Sequence, residues 1–455
     1  MDTTAAPQAL GDRLDRLPLT SFHRKLVIAL AGMILFEWVE THSFAYVLPA
    51  LRAQWDAPLS TFAAIAAVGS LGAFTGGVLG GYLADRIGRR RAMLTFSATY
   101  CTAAVLCALV QSPGQLMAAR ALAFFGAQGT AVIAIVTLSE FVPASARGRL
   151  QTHKVLVGSL GIPIAAWLGY FLIPNWPSGW RVLFGIGTLG AVFAVLVWRW
   201  VPESPRWLMA RGQVDRAHEI VCRIERECGV TPGASAVLHD TGPPAPRARV
   251  TELLSRDLRG RFLLASLMWV TGLLAYYAFT TWTPTLLSEN GLHLSDTLLL
   301  SAVLASCAPL GALAAVPLID RWDRRKTQLA IGVVLAAVLL LFSVAESHAA
   351  ILAFGCLVSL LFQVAVPFLQ VYTAEVFPTR VRALGAGTAN AVSRIVNFGG
   401  PALVTGVYTT LGYTPVFVLL ATLSVLGGCL AILFGPRTTG LPLESVESAS
   451  PTPPR

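Results

Sequence analysis

Two carboxyls and an imidazole stand in an otherwise apolar run. The stretch MILFEWVETHSFAYVL (residues 33–48) carries Glu37, Glu40 and His42. Glu37 and Glu40 are three residues apart, so on a helix both leave the same face. Burial raises a carboxyl pKa, and a like-charged neighbour raises it further. Such groups can bind and release protons near neutral pH, which makes Glu37 and Glu40 candidates for proton coupling. His42 is read as a packing or interfacial residue, with a proton role as the alternative. Two arginines, Arg120 and Arg394, sit in similar apolar runs. A guanidinium in a cavity can hold a carboxylate through two parallel hydrogen bonds. Both arginines are therefore candidates for substrate contact, the alternative being structural pairing with Glu37 or Glu40. Gln128, Gln363, Gln370, Tyr276, Tyr277, Asn390 and Asn397 complete the polar candidates for a substrate cavity. Gln363 and Gln370 are seven apart and share a helix face, and the two Asn residues flank Arg394.

The surroundings say what must position these groups. The chain has 455 residues, 55% hydrophobic and 13% charged, against about 25% charged in a soluble domain. Crossing a bilayer takes ~20 mostly apolar residues in a helix. Twelve runs qualify: 26–50, 61–84, 92–111, 116–142, 153–173, 180–201, 261–286, 297–319, 327–345, 349–376, 383–409 and 414–434. A charge at the bilayer centre costs at least ~2.5–3.5 kcal/mol. The face bearing Glu37 and Glu40 is therefore expected to line an aqueous cavity rather than lipid.

All but four of the 34 Lys and Arg fall at one side of these runs. Arg52 and Arg181 lie on the other side, and Arg120 and Arg394 lie within spans. This is the positive-inside pattern, and it puts both termini in the cytoplasm. The net charge of +10 is thus orientation spread over one membrane face, not a nucleic-acid footprint. The first 25 residues lack a short apolar core with a cleavage site and read as an uncleaved segment. Residues 206–228 place Leu208, Val214, Ala217, Val221 and Ile224 at helical spacing, which predicts a surface helix. TPGASAVLHDTGPPAPRARV (231–250) reads as a flexible linker and the C-terminal tail as disordered. The expected organisation is a cytoplasmic segment 1–25, a six-helix bundle 26–201, a cytoplasmic linker 202–260, a second six-helix bundle 261–434 and a tail 435–455.

The seven cysteines include no CxxC pair and join no His cluster. They read as small buried hydrophobes, with no metal site and no disulfide framework. GIGTLG (185–190) matches a dinucleotide-loop pattern but lies inside a span without a preceding strand. HExxH, GxSxG and GxxxxGK[ST] are absent. The reading is an all-α membrane protein without these catalytic motifs, with no cofactor and no ATP drive in this chain. Its partners are the lipid bilayer, a small-molecule substrate and protons, and a monomer is expected to suffice.

The chain repeats itself. GGVLGGYLADRIGRRR (76–91) aligns with GALAAVPLIDRWDRRK (311–326), and SEFVPASARG (139–148) with AEVFPTRVRA (374–383), both at an offset of 235. Gln128 and Gln363 share that offset. A parallel six-plus-six repeat is the arrangement of the major facilitator superfamily. The motifs agree: GYLADRIGRR (81–90) resembles that superfamily's signature loop between spans two and three, with a weaker copy at 316–325. PESPRWL (202–208) and EVFPTRVRALGAG (375–387) resemble the sugar porters and organic-ion transporters. Gly72, Gly76 and Gly80 form a small-residue ridge suited to close helix packing. Asp85, Arg86, Arg89, Arg90, Glu140, Arg147, Glu203 and Arg206, with Asp320, Arg321, Glu375 and Arg382 in the second half, can pair across helix ends. The resemblance implies that such pairs latch a cytoplasmic gate; ordinary topology-setting loop charges are the alternative.

FEWVETHSFAYVLPAL also resembles the first helix of the aromatic-acid and related metabolite:proton symporters, which carry an Asp-Gly-Phe-Asp type pair there. Glu37 and Glu40 occupy the two acidic positions, with longer side chains. The same resemblance makes Arg394 the expected anion anchor. Sugar porters place a Gln early in span five and paired Gln residues in span seven. Val155 and the run LMWVTG stand there instead, against a sugar. Proton-coupled symport of a small organic anion, aromatic or otherwise carboxylic, is the expected function, in a prokaryotic inner membrane. Antiport of an organic cation or drug is the alternative.

Overall fold

The computed structural model describes residues 13–231, 250–319, 323–378, 381–396 and 398–436. Regular structure among them is helical throughout. The first four rods are α1 (Ser21–Trp55), α2 (Leu59–Ile87), α3 (Arg89–Leu109) and α4 (Pro113–Phe141). The fifth crossing runs through α5 (Ala144–Ser159) and α6 (Gly161–Leu172). The sixth runs through α7 (Gly179–Ile186), a 3-10 turn (Gly187–Leu189) and α8 (Gly190–Trp200). Two short helices follow, α9 (Pro205–Ala210) and α10 (Val214–Glu227). The second series is α11 (Arg259–Glu289), α12 (Leu294–Ile319), α13 (Arg324–Ser343), α14 (His348–Glu375), α15 (Arg382–Val396), α16 (Gly400–Leu411) and α17 (Tyr413–Phe434).

Local chemistry sets the ends. Ser112 accepts the Gln115 N–H at the start of α4, with Pro113 in the first turn. Asp323 accepts the N–H groups of Arg325 and Lys326 at the start of α13. Each side-chain oxygen satisfies donors that a helix start leaves open. Eleven of the helical stretches are long and apolar enough to cross a bilayer. The eleventh expected crossing, 383–409, is not one continuous helix. It is α15 and α16, 15 and 12 residues, each shorter than the ~20 a bilayer needs. Phe398 and Gly399 turn between them, and Pro401 opens α16 without an N–H to continue the preceding ladder. Taken together the two pieces make the eleventh crossing and complete an all-α, twelve-helix membrane fold.

The 235-residue repeat is visible in the packing. A methyl added at Gly76 on α2 would overlap the Phe125 carbonyl on α4; one added at Gly311 on α12 would overlap the Leu360 carbonyl on α14. Phe125 and Leu360 are themselves 235 apart. An added methyl at Gly72 would overlap the Ala121 carbonyl, and one at Gly80 would lie 2.8 Å from the Gly129 Cα. These glycines let two backbones touch, which a larger residue prevents.

The packing divides the chain into two units. One comprises Met1–Thr41, Gly72–Gly161 and Arg181–Ala245; the other comprises His42–Leu71, Ile162–Trp180 and Pro246–Arg455. The division thus runs through α1, not only between the two halves of the sequence. In the first unit, α9 and α10 bury Leu208, Ala217, Val221 and Ile224 as the periodicity predicts, while Val214 is exposed. Arg13 reaches the same helix, its fork gripping Glu225 at 2.6 and 2.8 Å. In the second unit Trp167 donates to Ser306 at 3.0 Å and Arg52 pairs with Glu289. The linker read at 231–250 and the tail lie almost wholly outside the described residues.

Candidate substrate and proton-coupling site

Glu40 and Arg120 form a buried ion pair in the first unit. Arg120 Nη1 donates to Glu40 Oε1 at 2.8 Å and to the Glu40 carbonyl at 3.0 Å, and Nη2 donates to the Thr41 carbonyl at 3.1 Å. The two side chains are 1% and 2% exposed. The guanidinium carbon sits 4.5 Å from the Phe124 ring centre and 5.6 Å from that of Phe184. Packing and hydrogen bonds together therefore fix the arginine. Of the two readings that the sequence left for Arg120, the structure displays the pairing with Glu40. Across from it, Gly187 lies in the 3-10 turn of the sixth crossing. A methyl there would come within 2.8 Å of Glu40 Oε2. Among the described residues, Oε2 has no hydrogen-bond partner.

Glu37, one turn earlier on α1, is 6% exposed. Lys154 on α5 is 2% exposed and interacts electrostatically with it. Tyr100 on α3 is within Coulomb reach of both carboxylates. His42 is half-buried. The sequence reading counted Lys154 as a boundary charge at the start of the fifth crossing. Only the packing of α5 reveals that it is buried.

A cleft opens in the second unit. Its lining includes Tyr46 from α1, Tyr276, Phe279, Thr280 and Thr283 from α11, Ser301 from α12, and Ser359, Phe362 and Gln363 from α14. Gln363 donates to the Tyr276 hydroxyl at 3.4 Å. The Tyr276 and Phe362 rings meet edge to face at 5.9 Å, and Phe279 lies 5.8 Å from Phe362. No charged side chain lines the cleft among the described residues. Residues 276, 279, 280 and 283 follow helical spacing on one face of α11. That periodicity was the signal available for Phe279, Thr280 and Thr283, which sequence reasoning missed along with Tyr46.

The other expected contacts are dispersed. Tyr277 packs into an apolar cluster with Leu369 and Tyr372. Gln370 is exposed, and Asn390 and Arg394 are half-buried on α15. No hydrogen bond or ion pair joins Arg394 to another described residue. Gln128 packs against Gly77. Asn397 lies outside the described residues. Only Gln363 and Tyr276 of the proposed set line the cleft.

The loop charges do pair. Arg89 meets Asp85 at 2.9 Å and Glu140 at 3.0 Å. Glu203 accepts the Arg89 and Arg90 backbone N–H groups at 2.7 and 3.2 Å, and it leaves no room for a side chain at Gly88, whose φ is +99°. Arg90 donates to the Trp198 carbonyl, and Arg86 lies 4.9 Å over the Tyr82 ring. Arg147 and Arg206 both reach Asp15, each at 3.5 Å. In the second half Arg324 meets Glu375 at 3.2 Å and Arg325 donates to the Gly435 carbonyl at 2.7 Å. Arg382 is half-buried. Asp320 and Arg321 lie outside the described residues. Asp15 and Arg324 were absent from the expected set.

A model of the sugar (and other) transporter family matches residues 27–449. This chain belongs to that family, within the major facilitator superfamily. A Bacillus subtilis protein, YyaJ, named only by class for metabolite transport, is 33% identical over 94% of this chain and 95% of its own. The niacin transporter NiaP of Acinetobacter baylyi is 31% identical over 96% of this chain and 99% of its own. The fold matches the E. coli xylose transporter XylE in a partially occluded inward open conformation. That match has a TM-score of 0.77 at 17% identity and covers 93% of this chain and 100% of that one. The protein is a multi-pass membrane transporter of small molecules, and not an enzyme.

Proposed function

We propose that the protein imports a small organic carboxylate, aromatic in character, together with a proton, by alternating access across a bacterial inner membrane with both termini cytoplasmic. The buried Glu40–Arg120 pair carries this reading. An arginine does not lose its proton in a protein, so the carboxyl is the titrating partner. A proton on Glu40 cancels its charge and leaves Arg120 uncompensated. The buried site then holds one net positive charge, which an entering anion offsets. Proton and anion thus favour one another's binding, a reciprocal coupling between two sites. Glu37 is the second carboxyl of the same face.

In the second unit the cleft offers Tyr46, Tyr276, Phe279 and Phe362 to a ring, and Gln363 with neighbouring hydroxyls to its polar atoms. Arg394, half-buried in the broken eleventh crossing and not lining the cleft, is the cation this reading brings to the carboxylate. The niacin transporter's name agrees with an aromatic carboxylate. The paired charges around Arg89, Glu140 and Glu203, and around Arg324 and Glu375, act as gate latches at the cytoplasmic face, with Asp15 joining Arg147 and Arg206.

One observation favours a second reading. An aromatic cleft without a positive lining residue also suits an organic cation, exported in exchange for a proton. The two are separated by adding aromatic carboxylates, short-chain carboxylates and organic cations to energy-depleted cells expressing the protein, with an electrode in the medium. Alkalinisation on adding one carboxylate is the expected result. Acidification on adding a cation, with no response to any anion, would replace symport by antiport.

A further inference from the structure

The cleft of the second unit holds one hydroxyl unlike its neighbours. Thr280 on α11 donates to the Tyr276 carbonyl at 2.9 Å, and Ser301 on α12 donates to the Thr297 carbonyl at 2.7 Å. Each commits its proton to its own helix and keeps an oxygen that can only accept. Thr283 also lines the cleft and is 3% exposed, and its hydroxyl has no hydrogen-bond partner among the described residues. A buried hydroxyl left unmet is costly, and native proteins supply nearly all of them with a partner. The next residue, Pro284, lines the cleft too and has no N–H. The Thr280 carbonyl therefore lacks its regular helical donor, the N–H four residues on. One turn of α11 thus combines a hydroxyl that can donate with oxygens that can only accept. Ser359 and Gln363 complete the polar lining and can act in either sense.

We propose that Thr283 is a specificity-determining residue that recognises a hydroxyl group on the substrate's ring: Thr283 donates to that hydroxyl, which donates in turn to an accepting oxygen of Thr280 or Ser301. This rests on the aromatic-carboxylate reading above and narrows it to hydroxylated aromatic carboxylates. A carboxylate only accepts. Placed here it would face the lone pairs of Thr280 and Ser301, so the ring enters the cleft with its carboxylate directed elsewhere. A bare ring would leave the Thr283 hydroxyl unmet. An ether oxygen would meet Thr283 but has no proton for the accepting oxygens. A ring hydroxyl satisfies both.

Isothermal titration calorimetry of the detergent-purified protein tests this without any pH gradient. The probes are benzoate, its three hydroxybenzoate isomers and the matching methoxybenzoates, with phenethylamine and tyramine as the corresponding cations. Wild type is expected to bind one hydroxybenzoate about tenfold more tightly than benzoate or the matching methoxybenzoate. Thr283→Val, similar in shape but without the hydroxyl, is expected to bind that hydroxybenzoate and benzoate alike, whereas Thr283→Ser keeps the preference. Wild type binding no hydroxybenzoate more tightly than benzoate overturns the proposal whether or not the variants fold. A preference that survives in Thr283→Val overturns it as well. Binding of tyramine in preference to phenethylamine, lost in Thr283→Val and with no carboxylate bound, would sink the carboxylate reading and still support hydroxyl recognition by Thr283.

Discussion

Arg120 on α4 holds Glu40 on α1 at 2.8 Å, with both side chains almost completely withdrawn from solvent. Breaking a buried pair by removing one partner costs about 3–5 kcal/mol, because a charge is left uncompensated. Replacing both partners with apolar residues of similar volume is often neutral. Glu40→Ala and Arg120→Ala are each expected to lower the melting temperature of the detergent-solubilised protein strongly. Glu40→Met/Arg120→Met is expected to recover most of the loss while abolishing proton-driven transport. Additive losses in the double variant would show that the two side chains act independently.

Arg324 and Glu375 reproduce Arg89 and Glu140 at the offset of 235. Charge reversal of one member, as in Arg89→Glu or Arg324→Glu, places two carboxylates together and is expected to cut initial uptake about tenfold, a coupling of roughly 1.4 kcal/mol. Restoring attraction with Arg89→Glu/Glu140→Arg, or with Arg324→Glu/Glu375→Arg, is expected to return a large part of it. Full activity in the single reversals would mean that the pairs are bystanders.

Gly76 and Gly311 each abut a backbone carbonyl of the next helix but one, Phe125 and Leu360. Backbone cannot swing aside as a side chain can. Gly76→Leu and Gly311→Leu are expected to leave little folded protein in the membrane fraction, whereas Gly81→Leu, with no atom within 4 Å of an added methyl, is expected to express as wild type. Fluorescence-detected gel filtration of tagged variants reads this out.

Gln363 and Tyr276 share a hydrogen bond inside the cleft, while Gln370 is exposed and does not line it. Gln363→Ala is expected to raise the half-saturating substrate concentration about tenfold, the size of one lost hydrogen bond of roughly 1.4 kcal/mol. Gln370→Ala is expected to change it less than twofold. Equal effects at the two positions would remove the cleft from substrate binding.

Much of this was legible in the sequence, for identifiable reasons. Apolar runs gave the crossings because a bilayer demands length and composition together. The repeat pointed to Arg89, Glu140 and Glu375 as loop charges that pair, while Arg324, the repeat mate of Arg89, was not among the expected residues. Gly399 and Pro401 were visible in the eleventh run, yet composition alone did not reveal that they break it. Contacts between distant helices were the other blind spot. Arg120 joins Glu40 only after α4 packs on α1. Hydropathy registers that those residues are polar, not whom they meet. Gln128 and Gln363 correspond in the repeat, yet one packs on Gly77 and the other lines the cleft, since the two halves need not share a substrate role.

Glu40 as the proton-exchanging carboxyl is tested most directly in proteoliposomes holding the purified protein, with an imposed pH gradient, alkaline inside. Radiolabelled nicotinate, benzoate and other aromatic carboxylates are offered outside. Wild type is expected to accumulate at least one of them above its outside concentration and to carry protons inward with it. Glu40→Gln is expected to lose accumulation yet still exchange labelled for unlabelled substrate. Accumulation by Glu40→Gln at the wild-type level, or accumulation by wild type without proton movement, would contradict the account.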